Sequence, residues 1–563
     1  MENLPTNPFE ISRNIGTITQ INPSTAKANL PWASLDSAKH ESGSRIGAGE
    51  VGEFVFIETD AYAVFGRITD VRLPDSERLT VEVNLGRDIE THPIGYIQLL
   101  SAIDLFRKEV CQGIPLHPRL GSKVYSAHES LVAWMIDGGN QEGLHINLAK
   151  LPHSNSTPVK IKPKHLFGRH CAVLGTTGGG KSYTLSQLLQ SIDEIQGKVI
   201  LLDPTGEFEK LGDNALHYCI GAQIPNCEEV AFPYTNLFER DLFAIFQPSP
   251  GSQTPKFREA IRSLKLLTCA PELGENGLLN KANKTKNAMQ QAEIDHAAFL
   301  TQPQVHFDIN KIAEQLAEEC VWPSGFTNRQ PDPSKYGDYN QQDLSYLVSL
   351  ISRIEALISS ESLSCIFSPG QLPNLTSKID DFLGSDKTIL RLSLEELSFE
   401  HNARELITNA IGRHLLTIAR QGVFQENPVV VVLDEAHQFL NKSIGDDINK
   451  VRLDAFGLIA KEGRKYSLST VISTQRPRDI PEDVLSQMGA LIVHRLVNDR
   501  DREVVERACG DIDKTASMFL PTLAQGEALI VGVDFPIPMT VTINLADNTP
   551  ESKDANYDKF WGV

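Results

Sequence analysis

Three observations predict an α/β fold for this 563-residue chain. A short apolar strand runs into a glycine-rich loop and then a helix between His170 and Thr184, HCAVLGTTGGGKSYT. Near-continuous β-branched runs recur further on: KVILLD (198–203), TILRLSL (388–394), VVVVLD (429–434), STVIST (469–474) and ALIVHRL (490–496). Strands of that composition, separated by helical stretches, belong to a mostly parallel sheet covered on both faces. Ahead of them the period changes to about two, which is the mark of strands with one face buried.

That first region, residues 1–160, is expected to be a small β-barrel. Its candidate strands are IGTITQI (15–21), VGEFVFIET (51–59), YAVFGRITDV (62–71), LTVEVNLG (79–86) and SKVYSA (122–127), with Gly, Pro and Asp between them. Closing the barrel hides the strand edges. Pro, Ser, Thr and Lys dominate 152–164 and mark a linker into a nucleotide-binding core, whose first part is placed at 161–235. Residues 236–375, rich in Leu, Ala, Gln, Glu and Lys, read as a helical insertion, and 323–343 within it as a polar mobile loop. The core resumes at 376–545 and includes a β-hairpin around Asp534 to Pro538. A polar tail, 546–563, either docks on a neighbouring subunit or is disordered.

Composition sets bounds on function. Lys and Arg total 53 against 72 for Asp and Glu, a formal charge of -19, so contact with nucleic acid has to be local. The eight cysteines are scattered, Cys219 and Cys227 being the closest pair, and no C-x-x-C occurs. Neither a zinc site nor a disulfide framework is indicated, and a reducing, cytoplasmic compartment fits. MENLPTNPFE lacks the basic and apolar regions of a signal peptide, and no apolar run approaches the ~18 residues that cross a bilayer, so no membrane role is expected.

The glycine-rich loop satisfies G-x-x-x-x-G-K-[ST] with Gly175, Gly180, Lys181 and Ser182. Triphosphate oxygens need several backbone N–H groups turned inward, which requires close approach without Cβ atoms. Gly175, Gly178, Gly179 and Gly180 allow it. Thr176, Thr177 and Tyr183 complete the predicted ATP-binding segment, and the helix opening at Lys181 adds its positive end. Lys181 is expected to reach the β and γ phosphates, and the Ser182 hydroxyl to enter the shell of a Mg2+ ion.

Four valines and a leucine ending in Asp434-Glu435-Ala436-His437 form the second motif. The end of such a strand delivers two adjacent carboxylates to the phosphate crevice. Asp434 is assigned to the metal shell, and Glu435 to orienting and deprotonating the attacking water. The letters DEAH also name a motif of superfamily-two helicases. Here, however, Lys181 and Asp434 stand about 250 residues apart, and only about 130 residues follow Asp434, too few for the second complete nucleotide domain those enzymes carry. One core per chain points to a site shared between chains. Arg464, just before a strand, is then placed as an arginine finger for the neighbour's site, with a solvated basic turn as the alternative. Gln475, at that strand's end, is placed as a γ-phosphate sensor. Arg169, immediately before the first strand, lies near the phosphates or forms a structural ion pair.

Taken together, these motifs resemble the HerA family of the FtsK-HerA superfamily of ring-forming DNA translocases, and its bacterial HerA members in particular. The resemblance rests on RIGAGEVGEFVFIETDAYAVFGRITDV (45–71), GRHCAVLGTTGGGKSYT (168–184), LLDPTGEF (201–208), VVVVLDEAH (429–437), IAKEGRKYSLSTVISTQRP (459–477) and VLSQMGALIVHRL (484–496). It implies a RecA-like P-loop ATPase core behind a HAS-barrel-like N-terminus, and a homohexamer that threads double-stranded DNA through a central pore using ATP. It implies cis- and trans-acting roles for Arg169 and Arg464, and roles near the nucleotide for Asp203 and Glu207, whose side chains equally serve as loop caps. Relatives work with a separate effector, a nuclease or a sirtuin-like NAD-consuming protein, in DNA end processing or anti-phage defence. No nuclease or NAD-binding motif stands in this chain, so such an activity belongs to a partner. DNA threading asks for inward cations, for which Lys442, Lys450 and Arg452 are candidates. The rival reading is a ring scaffold in which ATP stabilises the assembly and the barrel recruits the effector.

Overall fold

A computed structural model describes residues 4–34, 39–41, 44–74, 93–136, 138–139, 143–152, 157–398, 400–440, 443–444, 451–508, 514–533, 535, 537 and 538–551. The chain forms two compact units, 1–197 with 469–550, and 198–468 with 551–563. The fold is α/β, with a closed antiparallel barrel at the N-terminus.

The barrel has six strands: Asn14–Ile21, Thr25–Asn29, Phe54–Glu58, Tyr62–Arg72, Ile94–Asp104 and Lys123–Ser126. Thr25–Asn29 pairs on one side with Asn14–Ile21 and on the other with Ile94–Asp104, which closes the ring and leaves neither of those strands as an edge. Alternate residues fill the interior: Ile18, Ala26, Ala28, Val55, Ile57, Val64, Ile68, Ile97 and Val124 are all buried. The expected strand at 79–86 lies outside the described residues.

The expected barrel boundary at 160 is corrected by the strand pairing. After Ser126 comes a helix, Glu129–Ile136, and then strands Ile146–Lys150 and Pro158–Ile161, which pair with each other. Ile146–Lys150 also pairs with Met539–Ile543, a partner almost four hundred residues away. Both strands therefore belong to the second sheet of this unit, in the order Pro158–Ile161, Ile146–Lys150, Met539–Ile543, Glu527–Gly532, Ala490–Val493, Cys171–Leu174, Leu468–Thr474. Cys171–Leu174 runs parallel to both of its neighbours, and all four of its residues are buried.

Arg67 joins the barrel to this sheet. Its guanidinium is only 8% exposed, stacks 3.8 Å from the Phe519 ring centre, and donates to the Gly52 carbonyl (3.2 Å) and the Thr540 hydroxyl (3.4 Å). Burial pushes its pKa down to about 10, so it remains a cation at neutral pH.

In the other unit, five parallel strands run in the order Val429–Leu433, Lys198–Asp203, Ile389–Ser393, Ala215–Cys219, Glu228–Glu229. The inserted residues are mostly helical, with Glu239–Phe246, Gln253–Cys269, Ile312–Glu318 and Gln341–Ile358 among them. Phe243, Phe246, Phe257 and Phe367 pack edge-to-face and stacked at their centre. The expected mobile loop at 323–343 contains a β-hairpin instead, Gly325–Thr327 against Gln330–Asp332. Asn328 and Arg329 form its two-residue turn with φ of 51° and 63°, the left-handed pair that tight hairpins need. Asp332 fastens it by accepting from the Thr327 hydroxyl (2.6 Å), the Ser334 hydroxyl (2.6 Å) and the Ser334 N–H (3.0 Å), which hold its carboxyl down at about 2.

The described part of the tail docks on its own chain. The Asp547 N–H donates to Gln190 at 2.7 Å, and Glu551 pairs with Lys210.

Candidate active site

In the first unit the site is built where Cys171–Leu174 ends. Gly178 (φ 73°) and Gly180 (φ 112°) are left-handed, and the helix Lys181–Glu194 opens directly on Gly180. A Cβ on Gly178 would meet nothing within 4 Å, so the backbone conformation alone demands glycine there. Gly175 is required for space, because a Cβ there would stand 2.6 Å from the His494 Cβ. Thr176 anchors the loop, donating from its N–H and its hydroxyl to the Arg495 carbonyl, both at 3.2 Å. The Lys181 ammonium, 7% exposed, donates to the Thr176 carbonyl at 3.3 Å and so lies over the loop. Ser182 is half-buried at the helix start and Tyr183 is 41% exposed. The Thr177 hydroxyl donates to the Gln475 side chain, which brings the predicted sensor against the loop. Arg169 packs its stem on Gly489, a backbone with no room for a Cβ beside it.

His494, which the sequence does not single out, lies directly beneath the loop. It stands at the end of Ala490–Val493, fully buried under the loop. Its ring meets the Glu527 carbonyl through Nδ1 (2.8 Å) and the Thr184 hydroxyl through Nε2 (2.7 Å). A carbonyl only accepts, so Nδ1 carries the proton and Nε2 accepts from Thr184. Burial, with the Lys181 charge adding to it, pushes the pKa down to about 4, against the opposing pull of the Glu527 carbonyl. The ring is thus neutral at pH 7, which suits a group lying under a site for Lys181 and phosphates. A histidine ending an apolar run was the available signal.

Because the native ring resists protonation, the unfolded chain binds the extra proton between pH 6.5 and 4. Stability is therefore expected to fall as pH drops through that window, by up to about 1.4 kcal/mol per pH unit from this group. Urea midpoints across the window, wild type beside His494→Gln, check this. Profiles of equal slope would assign the loss to other groups.

In the second unit, Val429–Leu433 is buried throughout and parallel to Lys198–Asp203. Asp434 follows, 4% exposed, its N–H donating to the Leu202 carbonyl (3.3 Å) and its carboxylate accepting from the Thr205 hydroxyl (3.4 Å). Glu435, 7% exposed, has φ of 43° and lies 3.2 Å from His437 Nδ1. A left-handed glutamate costs about 1–3 kcal/mol, and such strain concentrates at working sites. Arg464 lies in the 3-10 turn Gly463–Tyr466 with its side chain exposed. Arg452 is also exposed, while Lys442 and Lys450 lie outside the described residues.

Asp203 was open between a nucleotide role and a cap. Its carboxylate accepts from the N–H groups of Thr205 (3.3 Å), Gly206 (2.8 Å) and Phe208 (3.3 Å) and pairs with Arg391 at 2.8 Å, both side chains having no exposure at all. Those bonds cap the loop that carries Thr205 to Asp434. Glu207 is half-buried in the same loop.

Among the described residues no helix is long and apolar enough to cross a membrane. Residues 146–415 match the family description "Helicase HerA, central domain". The chain is 24% identical over 527 residues to the DNA double-strand break repair helicase HerA of Sulfolobus acidocaldarius, covering 91% of this chain and 92% of that protein. It is 24% identical over 526 residues to the protein of that name from Pyrococcus furiosus, covering 87% of each. Among solved structures, VirB4 of Thermoanaerobacter pseudethanolicus aligns with a TM-score of 0.46 at 15% identity, over 72% of this chain and 98% of that one.

Proposed function

We propose that the chain, similar over residues 146–415 to the HerA central domain and over most of its length to HerA helicases, is a HerA-type ATPase of the FtsK-HerA superfamily and works as a homohexameric ring moving double-stranded DNA through a central pore. The observation that carries the reading is the loop Gly175–Gly180, whose left-handed Gly178 and Gly180 open directly on Lys181 and Ser182. That cradle fits a nucleoside triphosphate. Backbone N–H groups, a buried ammonium and a helix N-terminus converge there.

In this reading Lys181 neutralises the β and γ phosphates, Thr176 and Thr177 hold the loop, and Tyr183 borders it. Ser182 and Asp434 would hold the Mg2+, which when bound would supply charge neutralisation at the phosphates. Glu435 takes the proton of the attacking water. Gln475, fastened to Thr177, senses the γ-phosphate. Arg464 reaches the site of the adjacent subunit, its exposure on a single chain being what a finger requires, and Arg169 acts in cis. DNA end processing or anti-phage defence, beside a separate nuclease or sirtuin-like NADase effector in a bacterial cytoplasm, is the setting we infer.

The test is steady-state ATPase, with and without linear duplex DNA, at low and moderate salt. Wild type should be stimulated, more strongly at low salt, and Glu435→Gln should bind ATP and not turn it over. A second reading, an ATP-dependent ring scaffold that activates the effector without processive movement, is favoured by the net charge of -19. Wild-type turnover indifferent to duplex would select it.

A further inference from the structure

We propose that the hairpin of the insertion, with the short extended segments beside it, is a docking surface for single-stranded nucleic acid. The segments 280–286 and 322–336 carry five cations, Lys281, Lys284, Lys286, Arg329 and Lys335, against one carboxylate, Asp332, in a chain of net charge -19. That carboxylate is turned to its own hairpin, saturated by Thr327 and Ser334. Lys281 is spent on the buried Glu319, and Lys286 donates to the Pro323 carbonyl (2.6 Å) over the Tyr336 ring. The side chains of Lys284 and Arg329 have no such partner among the described residues, and both are exposed. Arg329 sits in the turn itself.

Two large aromatic side chains stand in the open among these cations: Phe326 is 71% exposed and Trp322 is 52% exposed. Leaving them in water serves no core. A rigid support holds them there. The Trp322 N–H donates to the Asp338 carbonyl (3.0 Å), the Gly325 N–H to the Lys335 carbonyl (3.0 Å), and the Lys286 N–H to the Ser334 carbonyl (2.9 Å), so backbone hydrogen bonds and isolated bridges tie the neighbouring segments to the two-stranded hairpin. Glu318 and Asp338 border the patch, the former held by the Tyr339 hydroxyl at 2.9 Å.

Exposed rings between unpaired cations are the chemistry of single-strand binding. Rings stack on base faces, cations meet phosphates, and a duplex offers the second contact but hides the first. None of these residues belongs to the nucleotide motifs. The surface rests on the function proposed above only for the DNA end processing inferred there, which exposes single strands.

The test uses the full-length chain, a dye-labelled oligo-dT and a blunt duplex of equal length. Phe326→Ala is expected to weaken oligo-dT binding roughly fivefold or more while leaving duplex binding and duplex-stimulated ATPase unchanged, and Phe326→Tyr to keep the affinity. Lys284→Ala with Arg329→Ala should lower the slope of log K against log salt by about 1.4 for oligo-dT. Oligo-dT should quench tryptophan emission in wild type and much less in Trp322→Phe. Oligo-dT affinity unchanged in all these variants, absent in wild type, or lost equally with duplex affinity in Phe326→Ala, would overturn the proposal. Loss of duplex-stimulated ATPase in wild type would instead strike the function above, so the two failures are distinguishable.

Discussion

Arg464→Ala is expected to bind ATP as wild type does and to turn it over roughly 10³-fold or more slowly. An arginine that meets the transferring phosphoryl group from a neighbouring chain contributes where charge develops, so its loss appears in turnover and spares ground-state binding. The structure supplies the preconditions. Arg464 is exposed, and it is held on a short turn rather than a free loop: the close approach of Gly463 to the Leu468 carbonyl, 2.5 Å from where a Cβ would be, fixes that turn. Subunit mixing decides between cis and trans. Arg464→Ala mixed with Lys181→Ala, each inactive alone, should regain part of the activity, since some interfaces then pair an intact loop with an intact finger. A mixture as dead as its components would place Arg464 in its own subunit's site.

Asp203→Ala is expected to cost about 3–5 kcal/mol of stability in the second unit. The pair Asp203–Arg391 has no exposure on either side, so removing the carboxylate leaves a buried guanidinium without its counter-charge. It also frees the N–H groups of Thr205, Gly206 and Phe208, each of which must then find another acceptor. Asp203→Asn separates the two contributions, because an amide oxygen can still cap the loop while the charge is gone. Denaturant unfolding should rank wild type above Asp203→Asn above Asp203→Ala. Both variants melting like wild type would show that Arg391 finds compensation elsewhere. Since Thr205 from this loop reaches Asp434, ATPase of the folded Asp203→Asn protein should fall as well.

What the sequence made legible was whatever local pattern specifies. The phosphate loop is read from residue types because left-handed backbone and close approach admit only glycine at Gly178, Gly180 and Gly175. The buried parallel strands announce themselves because both faces are covered, and the carboxylates Asp434 and Glu435 because they end such a strand. Contacts between distant segments left no such mark. Strand Ile146–Lys150 looks like a barrel strand until its pairing with Met539–Ile543 is known, since one alternating strand resembles another. His494 is marked in the sequence only as a histidine ending an apolar run, and only the fold brings it under Gly175 and against Thr184. The hairpin at 325–332 was missed because its turn uses Asn-Arg where Asn-Gly gives the stronger signal, and because Pro, Asp and Ser around it read as loop. For Asp203 both roles fitted the residue type, and the position of Arg391, on a strand nearly two hundred residues later, could not be read from LLDPTGEF.

The imidazole under the phosphate loop has a mechanical consequence. Through Thr184 it grips the first turn of the helix that opens on the phosphates, and through Glu527 it grips a strand whose neighbour carries Thr540. Thr540 in turn holds Arg67 of the barrel. The barrel is therefore bolted to the phosphate loop's helix, the part that would feel a nucleotide come and go, by four side chains and two paired strands with no flexible linker in the path. It behaves as a handle on the engine rather than a passenger, and whatever grips that handle grips the engine block.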